Sequence, residues 1–99
     1  METIKYFIKE YEKELDKNYI SFCKEYFDQL AYERWGLVEL LKYIEENKTK
    51  PITLAVEEFA HKMDAYSLVN SKTSYMFSCA YDACINVLDI LLTEEEKNE

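Results

Sequence analysis

The chain has almost no residues that interrupt regular backbone structure: one glycine, Gly36, and one proline, Pro51, in 99 residues. A β-sandwich or barrel needs turn residues about every 8 to 12 positions, and a phosphate-binding loop needs several glycines. Both are excluded because the chain cannot supply those residues. Hydrophobic residues make up 48% of the sequence, which is enough to form one core. The sequence therefore predicts an all-α fold, a compact bundle of about four helices in a single domain.

Apolar residues recur with the spacing of one helix face in four segments. We predict helices over residues 4–15, about 19–46, 52–67 and about 72–92, with the polar segment 47–51 as the clearest loop. Asn18 is a natural break between the first two, although one bent helix over residues 3–46 is the alternative. The bundle would then occupy residues 1–92, followed by an acidic tail over residues 93–99.

The second segment has two faces that could each carry a function. Its predicted inner stripe consists of Ile20, Cys23, Phe27, Leu30, Val38 and Leu41. Tyr32, Gly36, Leu40 and Tyr43 lie on the other face, with Trp35 at its edge and Glu39 nearby. Aromatic residues in an acidic surround are typical of a protein interface. Packing of this face inside the bundle or against another subunit is the alternative.

The fourth segment is apolar over most of its circumference. Its polar residues form a single line: Ser74, Ser78, Asp82, Asn86 and Asp89. A helix of this kind is either central in its bundle or buried against a second copy of the chain.

Negative charge is concentrated in the second half of the chain. The net charge is −8, of which residues 1–50 contribute −2 and residues 51–99 contribute −6. This field disfavours direct binding of nucleic acid and favours a basic partner. The lysines at positions 5, 9, 13 and 17 form a row, but glutamates alternate with them, which is typical of a solvated face.

The three cysteines form no CxxC pair, and each lies among apolar residues. We predict that Cys23, Cys79 and Cys84 are buried, reduced thiols. The sequence begins with no signal peptide, and no apolar run reaches the roughly 18 residues of a membrane span. We therefore expect a soluble cytoplasmic protein that does not bind membranes.

One short motif resembles a metal site. Glu58-x-x-His61 has the spacing of half a di-iron carboxylate site, but the chain has no second copy of it and no other histidine. If the third helix buries Phe59, His61 points to solvent. We predict no metal, no cofactor and no enzymatic activity.

Two segments of the second half are Glu58-Phe-Ala-His-Lys-Met-Asp64 and Lys72-Thr-Ser-Tyr-Met-Phe-Ser78. With these segments, its small size and its acidity, the chain resembles the small acidic proteins encoded by phages and prophages, among them anti-CRISPR proteins. The resemblance implies binding to a bacterial effector, with carboxylates presented to a basic nucleic-acid groove. Bacteriocin nuclease immunity proteins are a second analogue, although this chain lacks their adjacent tyrosine pair.

The predicted function is stoichiometric inhibition of a nucleic-acid-handling bacterial protein such as a CRISPR effector nuclease. The alternative is a homodimeric helical phage protein with a structural or assembly role, joined through its fourth helix. The predicted partner-binding residues are Tyr32, Trp35, Tyr43, Glu39, Glu57, Glu58, Asp64, Asp82 and Asp89.

Overall fold

The computed structural model describes residues 2–19 and 23–97, with side chains described as far as residue 94. This part of the chain forms four helices and no strand: α1 (Glu2–Lys17), α2 (Lys24–Glu46), α3 (Ile52–Val69) and α4 (Ser74–Lys97). The predicted all-α, four-helix, single-domain fold is confirmed.

Several helix boundaries differ from the predicted ones. α1 ends at Lys17 and α2 begins at Lys24, so the two are separate helices and not one bent helix. The backbone of Cys23 is extended, and its Sγ accepts a hydrogen bond from the Tyr26 N–H at 3.4 Å, which caps α2. α3 continues to Val69, and α4 continues through the predicted tail to Lys97. Ile20, which we placed in the inner stripe, lies outside the described residues.

α4 is the central helix. It forms a hairpin with α3 through the turn at residues 70–73, and it also packs along α2, while α1 packs mainly on α2. Arg34 of α2 binds α1 by donating from Nη2 and Nε to Glu12 Oε1, at 2.6 and 3.1 Å. Of the two alternatives for the fourth helix, the structure therefore shows the central position in the bundle.

α2 and α4 lie very close together at Gly36 and Ala80. A Cβ atom placed on Gly36 would lie 2.6 Å from the Ala80 Cβ and 2.7 Å from its Cα. A glycine inside a helix costs about 1 kcal/mol relative to alanine. That cost is offset here because only glycine lets the two backbones approach so closely, and both residues are buried.

The core lies between α2, α3 and α4, and Ile4 of α1 packs into it. Its fully buried members of largest volume are Ile4, Leu37, Leu40, Val56, Val87 and Cys84. Small residues at Ala55, Ala60 and Ala83 are also buried, which lets α3 approach α4 closely.

The predicted inner stripe of α2 is wrong in part. Leu30 is buried as predicted, but the other buried residues of α2 are Gly36, Leu37, Leu40 and Ile44. Phe27, Val38 and Leu41 are half-buried and Cys23 is exposed. The reason is that α2 packs against α4 and α3 on one side and against α1 on another, so it has more than one inner face.

We predict that Gly36→Ala destabilises the protein by about 1 to 3 kcal/mol, because the added methyl group overpacks the contact with Ala80. Chemical denaturation measures this change. Ala65→Gly, at an exposed position of α3, is the control that reports helix propensity alone. A gain of about 1 kcal/mol for Gly36→Ala would instead mean that the two helices lie further apart.

Candidate functional site

The aromatic residues predicted to face a partner pack within the bundle. The Tyr32 ring lies edge-on to Tyr75 of α4 at 5.8 Å between centroids. Trp35 lies edge-on to Phe77 at 5.7 Å, and Tyr43 lies 5.6 Å from Phe59 of α3. Tyr32, Trp35 and Tyr43 are each half-buried. The two alternatives for this face of α2 were a partner surface and packing inside the bundle. Packing inside the bundle covers most of the surface of these three rings.

Glu58, another predicted partner residue, joins three parts of the chain. Its Oε2 accepts hydrogen bonds from the Tyr43 hydroxyl at 2.9 Å and from Lys50 Nζ at 2.6 Å. Lys62 Nζ lies 4.6 Å from the centroid of the Tyr43 ring. The hydrogen bond from Lys50, followed by that from Tyr43, lowers the pKa of Glu58. Glu58 therefore links the 47–51 loop to α2 and α3.

Other charged groups of the first half also pair within the chain. Glu39 binds Lys42 at 3.1 Å, and Arg34 binds Glu12. Further ion pairs one helical turn apart join Lys13 to Glu10, Lys17 to Glu14 and Lys48 to Glu45. Most of the basic residues in α1 and α2 are thus already neutralised by a neighbouring carboxylate.

Among the described residues, the acidic residues on the outer sides of α3 and α4 have no lysine or arginine paired with them. Glu57 and Asp64 are exposed on α3, and Asp82 and Asp89 are exposed on α4. Within the described part of the chain, none of these four carboxylates contacts a lysine or arginine. Glu57 Oε1 lies 4.0 Å from His61 Nε2. We call these four residues the acidic rows, one row on each helix of the hairpin.

The two polar residues of the Glu58-x-x-His61 motif contact different neighbours. The His61 side chain is 75% exposed and approaches Glu57, whereas Glu58 binds Tyr43 and Lys50. Among the described residues, no cluster of three or more histidine, cysteine, aspartate or glutamate side chains could hold a metal ion. Each of the two side chains therefore has a contact within the fold, His61 with Glu57 and Glu58 with Tyr43 and Lys50.

A groove of about 530 Å³ runs between α1 and α2. Ile8, Val38 and Leu41 line it together with Lys5 and Lys9 of α1. The groove is open to solvent, and Glu12 at its edge is held by Arg34. It brings together no pair of groups with the hydrogen-bonded geometry that acid–base catalysis requires.

The cysteines divide into two classes. Cys79 and Cys84 are buried, and burial raises the pKa of both thiols, that of Cys84 to about 12. Cys23 is exposed. The prediction of a buried thiol is therefore wrong for Cys23, because this residue caps the start of α2 instead of packing beneath it.

α4 also differs from the expectation that no segment has the length and hydropathy of a membrane span. Residues 74–94 are long and apolar enough to cross a membrane by those two criteria. The central helix of a soluble bundle satisfies the same criteria, and α4 packs against both α2 and α3. Ser78, Asp82, Asn86 and Asp89 are exposed along one side of it.

Sequence reasoning missed a group of exposed apolar residues at one end of the bundle. Leu68 and Val69, the last residues of α3, are 81% and 82% exposed. Tyr66, on the preceding turn of α3, is 50% exposed. The available signal was the pair of apolar residues directly before the polar segment 70–73, off the buried stripe of α3.

Comparison with known proteins identifies no relative: no protein-family model, no curated protein and no solved structure matches this chain. The assignment of function therefore depends on the charges, contacts and exposed surfaces described above.

We predict that Lys50→Met raises the pKa of Glu58 toward its ordinary value of 4.5, because the strongest partner of the carboxylate is removed. A group with a lowered folded pKa stabilises the fold above its unfolded pKa and loses that contribution as the pH falls through its folded pKa. As the pH falls into the acidic range, the free energy of unfolding of Lys50→Met should therefore decrease less than that of the unaltered protein. Carboxyl NMR titration measures the shift.

Lys48→Met is the matched control for this titration, since Lys48 pairs with Glu45 and not with Glu58. A Glu58 pKa that is the same in Lys50→Met and in the unaltered protein would contradict the proposed linkage.

We also predict that one thiol of the folded protein reacts rapidly with an aromatic disulfide reagent and that all three react in denaturant. Burial and a raised pKa slow Cys79 and Cys84. Absorbance at neutral pH follows the reaction, and Cys23→Ser should remove the rapid phase. Two rapid thiols in the folded protein would mean that the core around α4 opens readily.

Proposed function

We propose that this protein is a non-enzymatic binding protein that occupies the basic, nucleic-acid-binding surface of a bacterial protein. The observation that supports this proposal is the uneven pairing of charge. Lys13, Lys17, Arg34 and Lys42 of α1 and α2 are paired with carboxylates of their own chain, while the acidic rows on α3 and α4 contact no lysine or arginine among the described residues.

Electrostatics gives the acidic rows a physical role. A surface that holds phosphates is lined with lysine and arginine, so it attracts exposed carboxylates as well. Complementary charge accelerates encounter and selects the orientation of binding. The −6 charge of residues 51–99 would direct α3 and α4, rather than α1 and α2, toward such a surface.

The resemblance to anti-CRISPR proteins makes a CRISPR effector nuclease the first partner class to test. An immunity-type role against a bacteriocin nuclease uses the same mechanism on a different basic partner. In both cases the protein acts in the bacterial cytoplasm without a cofactor, and it binds protein and not nucleic acid.

A second candidate function is that of a homodimeric structural protein of a phage. The observation in its favour is the partly exposed apolar side of α4, where Ile85 and Leu88 are half-buried and Leu92 is 42% exposed. Such a dimer has a mass of about 24 kDa, twice the 11.9 kDa of one chain, at low and high salt alike. Light scattering on the purified chain separates this candidate from a monomeric inhibitor.

The test of the first candidate is capture of partners from a nuclease-treated bacterial lysate, at low and high salt. We expect a nucleic-acid-binding protein to be retained at low salt and released at high salt. Asp82→Lys with Asp89→Lys should weaken its binding by at least about tenfold, because both contacts become repulsive. The purified partner should then lose its nucleic acid when this chain is added.

Asp16→Lys with Glu46→Lys is the matched control, because it makes the same change in charge at exposed positions of α1 and α2. This variant should keep the partner. Capture that is indifferent to salt, or equally weakened by both double variants, would contradict the proposal.

A further inference from the structure

Five exposed apolar residues gather at one end of the bundle, where α2 begins, α3 ends and α4 begins. They are Tyr26, Tyr66, Leu68, Val69 and Tyr75, and we call them the apolar tip. Leu68 and Val69 are the most exposed large hydrophobic residues of the described chain. Exposed apolar residues scattered singly are ordinary, but a cluster of this size marks an interaction surface.

The apolar tip stands on a layer of packed rings. The Tyr66 ring lies 5.3 Å from Phe77, which in turn contacts Trp35. The Tyr75 hydroxyl donates to the Glu25 carbonyl oxygen at 3.3 Å, which joins the start of α4 to the start of α2. Partial burial, followed by nearby Cys79, Glu25 and Asp28, raises the pKa of Tyr75 to about 12. The supporting side chains are therefore fixed before any partner binds.

The tip continues directly into the acidic rows. Leu68 lies one helical turn after Asp64 on the exposed side of α3, and Tyr75 lies two turns before Asp82 on the exposed side of α4. Glu25 and Asp28 add two carboxylates near Tyr75. Lys24 and Lys72 also lie at this end, at the start of α2 and in the turn before α4.

We propose that the apolar tip inserts into an apolar pocket bordered by lysine or arginine on the same partner that the acidic rows engage. This inference rests on the proposed function and specifies the partner surface: basic, with an apolar pocket at one edge. Charge argues against a second copy as the occupant, because two chains of net charge −8 would bring the carboxylates around both tips together.

The two surfaces then have separate kinetic roles. Exposed carboxylates act over a distance and raise the rate of association. Apolar residues buried at the centre of a contact act only after docking and slow dissociation. Tyr32, Trp35 and Tyr43 cannot serve as these anchors to the same extent, since their rings already contact α3 and α4.

Two synthetic peptides of equal positive charge test this inference. One is a Leu–Lys peptide of about 15 residues that forms an amphipathic helix, and the other is a Lys–Ser peptide with no apolar face. We expect the folded protein to bind the Leu–Lys peptide at least about tenfold more tightly. In NMR titrations, the amides of residues 66–75 should shift with the Leu–Lys peptide and much less with the Lys–Ser peptide.

Leu68→Ser with Val69→Ser should abolish this preference while leaving binding of the Lys–Ser peptide unchanged. Leu54→Ser with Leu92→Ser is the matched control, because it removes two exposed leucines at the opposite ends of α3 and α4. Both pairs lie on the surface, so the dispersion of the NMR spectrum should show that each variant is folded. A preference that survives in Leu68→Ser, Val69→Ser would overturn the inference.

Three further results would also overturn it, for different reasons. If Asp82→Lys with Asp89→Lys does not weaken binding of the Lys–Ser peptide, the proposed function itself fails. If that binding weakens but the Leu–Lys shifts fall in the groove between α1 and α2, only the role of the tip fails. A mass of about 24 kDa that falls to 11.9 kDa in Leu68→Ser, Val69→Ser would make a second copy the occupant.

Discussion

The contact between Gly36 and Ala80 sets the geometry of the whole bundle. With no side chain at Gly36, α2 lies against α4 closely enough that a single added carbon would meet two atoms of Ala80. This approach brings Tyr32 and Trp35, one turn and one residue before Gly36, onto the rings of Tyr75 and Phe77. The aromatic residues of α2 are therefore fixed as packing residues by the same contact that makes α4 the central helix.

The distribution of charge follows from that arrangement. α1 and α2 carry most of the cations, and Lys13, Lys17, Arg34 and Lys42 each lie one turn or one helix away from a carboxylate that pairs with them. α3 and α4 turn their apolar residues toward α2 and each other, which leaves Glu57, Asp64, Asp82 and Asp89 in solvent. The bundle thus has one side whose charges are largely balanced and one hairpin whose charges are not. A binding function that uses this hairpin requires no pocket, metal or cofactor.

The sequence predicted the four helices because each repeats apolar residues at helical spacing and few glycines or prolines interrupt them. It did not predict the inner faces of α2, because a helical wheel assumes one buried face and assigns no packing role to a glycine. It did not predict the contacts of Glu58, because its partners Tyr43 and Lys50 lie 15 and 8 residues away, beyond any helical pattern. It overlooked Leu68 and Val69 because an apolar residue is expected inside, and only the path of the neighbouring helices leaves these two uncovered.

α1 is held less firmly than the other helices. Ile4 is its one buried residue among those described, and it packs mainly on α2, with Arg34 and Glu12 as a surface link. Elements with few buried contacts open at a lower free energy than the whole domain. We therefore expect the amide protons of α1 to exchange with solvent before those of α2, α3 and α4, as in a three-helix unit that carries a fourth helix able to open by itself.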